Sequence, residues 1–398
     1  MLQGIWRRGR HTKLTAFVVL GAVALAGCGS DSRNQSTFEA NGKIARDDAN
    51  IFNAFFIVAA IIGIGIMAAT VFAAIRFRSR PGNENPVQIH GNTKLELSWT
   101  IAPAVILAIM GVFTVKMIWD QAAKPANAME ITVTAKQWWW QFEYTKVEGQ
   151  TKQVVTANEL HIPAGVPVWL TLKSDNVNHS FWIPQLMGTK DNIDGHLNTL
   201  QLIADEEMAT AAEVDQWLGG QCKQYCGLSH ADMRVRAKVD SKEVFAKWYE
   251  SQLEPWTAAE LGTFKQWDDV YACSSCHYIQ GLVPDDDAGV QAGSKPVPSQ
   301  RGPNLTHLAD RKSFGSATFS YGIESIDPED LTEWIWDAQK HSAGQDNSKP
   351  MQCPEYPDST AKIKCVGMPS FKHDKRNPMS RETANEIAIF LLNIGKKA

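Results

Sequence analysis

Soft metal ligands are concentrated in one short segment of the chain. Two thiolates, one imidazole and one thioether lie within twelve residues, in Cys222, Cys226, His230 and Met233. Thiolate and thioether ligands combined with imidazole favour copper over magnesium or calcium, and a zinc site more often uses four Cys or His ligands. A second histidine, His179, lies upstream. Two cysteines at this spacing can bridge two coppers, with one histidine capping each ion.

A second cofactor motif follows further along the chain. Cys273, Cys276 and His277 form a Cys-x-x-Cys-His sequence, which is the attachment signature of c-type haem. In such a motif the two thiols form thioethers to the haem, and the histidine supplies the proximal iron ligand. A chance occurrence or part of a zinc site is the alternative interpretation of so short a sequence.

The patterns around these motifs indicate the elements that position them. Alternating residues predict strands at 129–135, 166–172 and 233–239, and short strands separated by Pro and Gly turns suggest a β-sandwich or barrel. Residues 202–217 are helix-prone, so we expect a short helical insertion there. An amphipathic helix is predicted at 241–252, and a further helix at 380–394.

Two uncharged stretches, 51–75 and 97–115, are long enough to span a bilayer. Between them lies a basic segment, 76–80, and short basic loops face the cytoplasm. Both cofactor motifs then lie outside the cytoplasm. A pair of buried core helices is the alternative.

The first residues predict an export signal, with basic residues before the apolar stretch 14–26, which is too short for a stable span. The sequence Leu-Ala-Gly-Cys ending at Cys28 resembles a bacterial lipobox, so we expect cleavage and lipidation at this cysteine; an uncleaved anchor with an incidental cysteine is the alternative. An oxidising exported compartment would also permit a disulfide between Cys353 and Cys365.

The copper segment resembles a known family. The patterns His-Ser-Phe-Trp-x-Pro and Cys-x3-Cys-x3-His-x2-Met within 177–233 resemble the dinuclear copper (CuA) domain of cytochrome c oxidase subunit II. The resemblance implies a cupredoxin-like, all-β Greek-key barrel, with the backbone carbonyl of Gln224 as a further copper ligand. Many relatives have Glu at this position, where its carboxylate binds magnesium. The glutamine keeps the carbonyl and lacks the carboxylate, which leaves the magnesium role open.

Residues 261–398 resemble a small cytochrome c, because the haem motif is followed by Gly-Pro-Asn-Leu at 302–305 and by Met368-Pro369. The resemblance implies an all-α domain with one covalently bound haem c and Met368 as the distal iron ligand. Met351 and Met379 are the competing methionines. His307 is expected to line the haem edge without binding iron.

The same resemblance assigns roles to two further residues. Trp138, in an aromatic run, matches the residue that receives electrons from cytochrome c; core or membrane-interface packing is the alternative. Glu96 matches the acid at the mouth of a proton pathway into subunit I, and acids at a membrane boundary are often functional. Its alternative is a solvated helix N-terminus, where the helix dipole favours an acid.

These observations predict a multidomain chain. A signal peptide covers 1–27, and 28–125 contain a two-helix transmembrane hairpin. The copper domain covers 126–240, a helical linker 241–260, and the cytochrome c domain 261–398.

The resemblance implies an electron-accepting subunit of a haem–copper terminal oxidase in the bacterial inner membrane, with both cofactor domains on the periplasmic side. Electrons from cytochrome c or another periplasmic donor would pass through haem c and CuA to subunit I, which reduces oxygen to water coupled to proton pumping. Subunit III and membrane lipid are further partners, and a net charge of −4 indicates no nucleic-acid role. The alternatives are the copper subunit of a nitric oxide reductase and a membrane-tethered electron carrier. A nitrous oxide reductase would be soluble and carry a second, His-rich copper cluster.

Overall fold

The computed structural model describes residues 35–78, 90–210, 217–280, 282, 302–320, 325–341, 368, 370–372 and 377–394. Two long helices come first, α1 (Lys43–Arg76) and α2 (Thr93–Ala122). Both are long and apolar enough to cross a membrane. Their apolar side chains are largely exposed, as expected of helices whose surroundings are lipid rather than protein.

Ten short strands form the β-domain: β1 (Met129–Lys136), β2 (Trp139–Lys146), β3 (Val154–Ala157), β4 (Glu159–Pro163), β5 (Val168–Ser174), β6 (His179–Phe181), β7 (Lys190–Asn192), β8 (Asn198–Leu202), β9 (Trp217–Gln221) and β10 (Arg234–Asp240). One sheet has the order β3-β2-β1-β5-β8, a second β4-β10-β9, and β6 pairs with β7. The pairs β1–β5 and β4–β10 are parallel. Both larger sheets contribute to one apolar core, and the three predicted strands are confirmed as β1, β5 and β10.

Two helices lie next to this β-domain. The short helix α3 (Glu207–Thr210) falls inside the stretch predicted to be helical, before strand β9. Helix α4 (Lys242–Ser251) begins where the Ser241 side chain accepts a hydrogen bond from the Val244 amide, a common N-cap. Helix α4 packs against the β-domain, because the Tyr249 hydroxyl donates to the Lys152 carbonyl at 2.7 Å.

The C-terminal region contains helices α5 (Ala258–Tyr271), α6 (Pro328–Asp337) and α7 (Arg381–Asn393) and the paired strands β11 (Ser313–Phe314) and β12 (Phe319–Ser320). The first and last of these helices contact each other, since the ring centroid of Phe390 lies 5.1 Å from that of Trp267 and 6.1 Å from that of Phe264. The β-hairpin was not predicted, and the cytochrome c fold as a whole stays a prediction.

Several predictions concern residues outside the described ranges. These are the signal peptide, the lipidated Cys28, the pairing of Cys353 with Cys365, and the competing ligand Met351. They remain expectations from the sequence.

A candidate copper centre and a candidate haem site

The copper-segment residues lie at the ends of two neighbouring strands. Cys222 directly follows β9, and Met233 directly precedes β10. The Cys222 amide donates to the Met233 carbonyl at 2.9 Å, which continues the β9–β10 ladder by one step. His230 starts a 3₁₀ turn just before Met233, and His179 begins β6. Strand ends therefore fix the backbone at three of these positions.

The predicted ligand atoms converge. The Sγ atoms of Cys222 and Cys226 lie 3.9 Å apart. His179 Nδ1 lies 3.9 Å from the first sulfur, and His230 Nδ1 lies 3.5 Å from the second.

The two remaining predicted ligands complete the cluster. Met233 Sδ lies 3.8 Å from Cys226 Sγ, and the Gln224 carbonyl oxygen lies 3.2 Å from Cys222 Sγ. Each cysteine sulfur therefore has its own imidazole and one further donor. Metal–thiolate bonds are about 2.3 Å, the zinc value, so sulfurs at this separation can share metal ions. The soft donor set fits copper.

Proton sharing between the two thiols explains their acidities. The pKa of Cys222 is lowered to about 4, chiefly because the Cys226 thiol donates a hydrogen bond to the Cys222 thiolate; burial opposes this shift, and the His179 ring reinforces it. The pKa of Cys226 is raised for the reciprocal reason, with burial adding to the shift. Both cysteines would bind a metal ion as thiolates, so metal binding would release thiol protons.

A hydrogen-bond network that the sequence did not reveal supports the copper ligands. Asn176 Oδ1 lies 3.4 Å from His179 Nε2, and the Asn176 amide donates to Gln137 Oε1 at 3.1 Å. The Gln137 amide in turn donates to the Cys226 carbonyl at 2.6 Å. When a metal ion binds, an Nε2–H bond to Asn176 Oδ1 would leave His179 Nδ1 free as a ligand beside Cys222, because metal-binding histidines usually donate their other ring N–H to a hydrogen-bond partner.

Trp138 contacts the same copper loop. Its indole N–H donates to the Cys226 carbonyl at 3.0 Å. Gly227, at φ +116°, lies against the ring, and a Cβ there would come within 3.0 Å of Trp138 Cζ2. The half-buried tryptophan is therefore in direct contact with a candidate copper-ligand residue, and its role in electron entry stays a prediction.

The haem motif presents its histidine in a form suited to iron. His277 Nδ1 lies 2.8 Å from the Pro303 carbonyl, so Nδ1 carries the hydrogen and Nε2 keeps its lone pair. Burial lowers the pKa of His277, an effect that the Pro303 bond opposes and Arg311 reinforces. Gly302 is required beside this ring, because a Cβ there would lie 2.7 Å from it. A neutral, oriented imidazole fits a proximal haem ligand.

Other features of the C-terminal region also fit a haem. Cys273 and Cys276 are free thiols, and burial raises the pKa of Cys273 to about 12. His307 Nε2 and Ser370 Oγ are buried without a hydrogen-bond partner in the described part of the chain. Buried polar atoms normally have partners, so these two atoms are suited to a polar group bound beside them.

Comparison with known proteins identifies the family. The model for the cytochrome c oxidase subunit II transmembrane domain matches residues 33–117, and the model for its periplasmic domain matches residues 145–240. The chain is 30% identical to cytochrome c oxidase subunit 2 of Alkalihalophilus pseudofirmus, over 76% of this chain and 80% of that protein. This chain belongs to the cytochrome c oxidase subunit II family. It is thus a two-pass membrane subunit of a haem–copper oxidoreductase, and its periplasmic domain carries a copper site.

Two further comparisons describe the family's range. Quinol oxidase subunit 2 of Bacillus cereus is 30% identical, over 65% of this subunit II and 84% of that protein. The solved periplasmic domain of subunit II of cytochrome oxidase (CoxB) from Bradyrhizobium japonicum is 24% identical, covers 32% of this chain and 95% of that one, and has a TM-score of 0.28. All six copper-ligand candidates of this subunit II lie inside the segment matched by the periplasmic model.

Glu96 lies apart from both cofactor sites, at the start of helix α2. Its Oε1 accepts a hydrogen bond from the Asn92 amide at 3.1 Å, and the Asn92 side chain accepts from the amides of Lys94 and Leu95. This reciprocal cap is a sufficient structural reason for an acid at this position. The proton-pathway role of Glu96 stays a prediction.

Proposed function

We propose that this subunit II holds a dinuclear CuA centre and one covalent haem c, accepts electrons from a periplasmic donor, and delivers them to the subunit I of its oxidase. Subunit I would reduce oxygen to water, coupled to proton pumping. One observation carries the proposal: six predicted copper donors converge around two cysteine sulfurs that lie 3.9 Å apart. When bound, the coppers and the haem supply one-electron redox chemistry.

The protein's own contribution is to hold these ligands rigidly and away from water. Cys222 and Cys226 are only 4% and 3% exposed, and the Asn176–Gln137 network fixes His179 and the Cys226 carbonyl. A ligand shell that cannot rearrange suits a site that changes only by one electron. The same shell excludes water, which would otherwise respond to each change in charge.

The C-terminal region supports a haem for two reasons. Its Cys-x-x-Cys-His motif presents a neutral imidazole with a free Nε2. His307 Nε2 and Ser370 Oγ are buried and have no hydrogen-bond partner among the described residues. The match to the Alkalihalophilus protein spans 76% of this chain, more than residues 1–240 could supply. That relative therefore shares part of the C-terminal region.

The family includes relatives named for two donors, cytochrome c and quinol. A copper donor set combined with a haem c motif favours cytochrome c or another periplasmic redox protein as the donor to this chain. The further partners proposed are subunit III and membrane lipid, with a lipid anchor at Cys28.

The test is to purify the complex from its membrane and measure oxygen uptake and nitric oxide reduction with the same reduced cytochrome c. We expect oxygen uptake that requires the copper site, so a Cys222→Ser complex should lose it while remaining assembled. Reduction of nitric oxide without oxygen uptake would assign the chain to a nitric oxide reductase. Absence of a catalytic partner in the purified material would indicate a tethered electron carrier.

Covalent haem attachment is expected to survive extraction with acidified acetone. Thioether bonds to Cys273 and Cys276 would retain the haem on the polypeptide, so the haem stain on a denaturing gel should persist. Replacing both cysteines with serine should release it, whereas Ser274→Ala and Ser275→Ala in the same loop should not. Complete extraction from the unaltered chain would refute the assignment.

Neutralising Glu96 separates its two roles. Glu96→Gln keeps an oxygen that can accept the Asn92 amide, so the helix cap survives while the ionisable group is lost. If Glu96 opens a proton route, turnover at saturating donor should fall about tenfold, a barrier change of about 1.4 kcal/mol, while copper reduction by the donor stays fast. Turnover equal to that of the unaltered complex would leave only the capping role.

A further inference from the structure

The C-terminal region contacts the copper segment through its β-hairpin. We call residues 312–320 the cap hairpin. At its tip, the Ser316 hydroxyl donates to the Trp138 carbonyl, and the Ser316 carbonyl accepts from the Arg234 amide at 3.1 Å. The Thr318 hydroxyl donates to the Asp232 carbonyl at 3.2 Å. The tip is therefore bonded to the backbone of Trp138 and to the backbone of the two residues that flank Met233.

A buried carboxylate anchors the base of the cap hairpin. Glu159, at the start of β4, is 4% exposed. Its Oε1 accepts from the Lys312 amide at 3.0 Å and from the Ser313 hydroxyl at 2.5 Å. The Arg236 guanidinium donates to the Lys312 carbonyl at 3.2 Å. A carboxylate buried at an interface is costly unless it is paired and hydrogen-bonded, so this anchor favours a closed contact.

A third contact links the haem motif itself to the β-domain. The Asn304 amide donates to the Val155 carbonyl of β3 at 3.0 Å. Asn304 directly follows Pro303, whose carbonyl holds His277. The Gln280 side chain also donates to the Leu253 carbonyl at 3.2 Å. The loop that orients the proximal histidine is thus fixed to the copper domain.

The backbone conformation of the hairpin tip also indicates that the tip is fixed by its contacts with the β-domain. Gly315, Ser316 and Ala317 have φ values of +56°, +59° and +56°. Two of these residues carry a Cβ, and non-glycine residues adopt positive φ only when their surroundings enforce it. Behind the tip, the Phe314 and Phe319 rings stack at 4.7 Å, which keeps the two short strands together.

We propose that the cap hairpin is a fixed seal over the Trp138 surface, which closes that surface to external protein donors. An external donor then has to deliver its electrons to the C-terminal region rather than at Trp138. This inference rests on the proposed function for its redox consequence. The seating of the hairpin itself does not depend on either cofactor.

The seating is tested by hydrogen–deuterium exchange of the purified complex. Glu159→Lys places a cation where the hairpin base needs an acceptor, and Glu148→Lys makes the same change on an exposed turn. We expect exchange at residues 313–320 and at the Arg234 amide to rise about tenfold or more in the first variant only, as local opening becomes easier. Strand β5 should stay protected in both. Unchanged exchange of the hairpin in Glu159→Lys would overturn the proposal.

A second variant distinguishes opening of the hairpin from misfolding of β4. Ser316→Arg adds a long side chain at the tip, against Trp138, and leaves Glu159 and both sheets as they are. It should raise exchange at the tip and at Arg234 while the rest of the β-domain keeps its protection. If the amides of the tip stay protected from exchange in Ser316→Arg, the contact between the tip and Trp138 is not a tight seal.

The redox consequence is tested by rapid mixing with a small reduced blue-copper protein, whose absorption is separate from that of the haem. In the unaltered complex, the near-infrared copper band should bleach only after the visible haem band has changed. In Ser316→Arg a copper phase should precede the haem, with a bimolecular rate at least about tenfold above the direct rate in the unaltered complex. Hexaammineruthenium(II), a stronger reductant that is too small to be excluded, should reduce copper equally in both.

Two results would overturn the seal. One is direct copper reduction by the blue-copper protein in the unaltered complex; the other is an opened hairpin, shown by exchange, with no early copper phase. Copper and haem contents are measured first on the unaltered complex. A complex without either cofactor would refute the proposed function, which the exchange result alone cannot do.

Discussion

Replacing Cys226 with serine is expected to abolish the dinuclear copper centre. The unaltered chain should bind two coppers, because two buried sulfurs 3.9 Å apart each have a separate imidazole partner. If both thiolates bridged the two coppers, one unpaired electron would be delocalised over both ions. The paramagnetic resonance spectrum of the unaltered chain should therefore show coupling to two equivalent copper nuclei.

The serine variant loses one bridge and the sulfur nearest to His230 and Met233. A hydroxyl is a harder and far less acidic ligand than a thiol, so soft copper should be held weakly at this position. We expect at most one copper per chain, with the hyperfine pattern of a single nucleus, and oxygen uptake close to background. Cys273→Ser makes the same chemical change outside the copper segment and should keep both coppers. A single-nucleus spectrum from the unaltered complex would contradict the assignment.

The copper ligands could be predicted because their chemistry is local in sequence. Four of them share twelve residues, and the strand that follows them, β10, alternates clearly enough to be predicted. Strand β9, which precedes them, was not predicted. The supporting network could not be predicted. Asn176 and Gln137 are ordinary polar residues, and their role arises only because β1, β2 and β6 bring them to Cys226 and His179.

The cap hairpin shows a second limit of sequence patterns. Its strands are two residues long, too short for an alternating pattern to be visible. Its contacts join residues far apart in the chain, such as Glu159 to Ser313 and Trp138 to Ser316. Because glutamate is rarely buried, the default expectation for Glu159 is an exposed side chain rather than an interface contact. The expectation of an all-α C-terminal region missed this hairpin for that reason.

Met368 is expected to be the second iron ligand of the bound haem, together with His277, and the variant Met368→Ala tests this. The residue is half-buried and packs against the apolar cluster of the C-terminal region, as Cys273 does. Three residues later, the Phe371 ring lies 5.6 Å from that of Tyr271, at the end of the helix that leads into the haem motif. Met368 and Phe371 therefore both lie in the apolar cluster that contains Cys273 and Tyr271 of the haem-binding segment.

Met379 has a packing role in the core of the C-terminal region. It is 4% exposed, its amide donates to the Phe371 carbonyl at 3.1 Å, and its carbonyl accepts from the Trp336 indole at 3.0 Å. Met379→Ala should therefore destabilise the region by about 2–5 kcal/mol, the usual cost for truncating a buried methionine, without removing an iron ligand. It is the matched control for the loss of a methionine side chain.

Loss of a thioether ligand lowers the reduction potential, because Met/His ligation is what raises it. In Met368→Ala we expect the weak near-infrared sulfur-to-ferric-iron band to vanish and the midpoint potential to fall. Each 59 mV of that fall is about tenfold in the one-electron equilibrium with the donor, so electron acceptance should slow accordingly. Met379→Ala should keep the band and the potential while melting earlier. If the band persists in Met368→Ala and disappears in Met351→Ala, the ligand is Met351, and the half-buried position of Met368 serves packing alone.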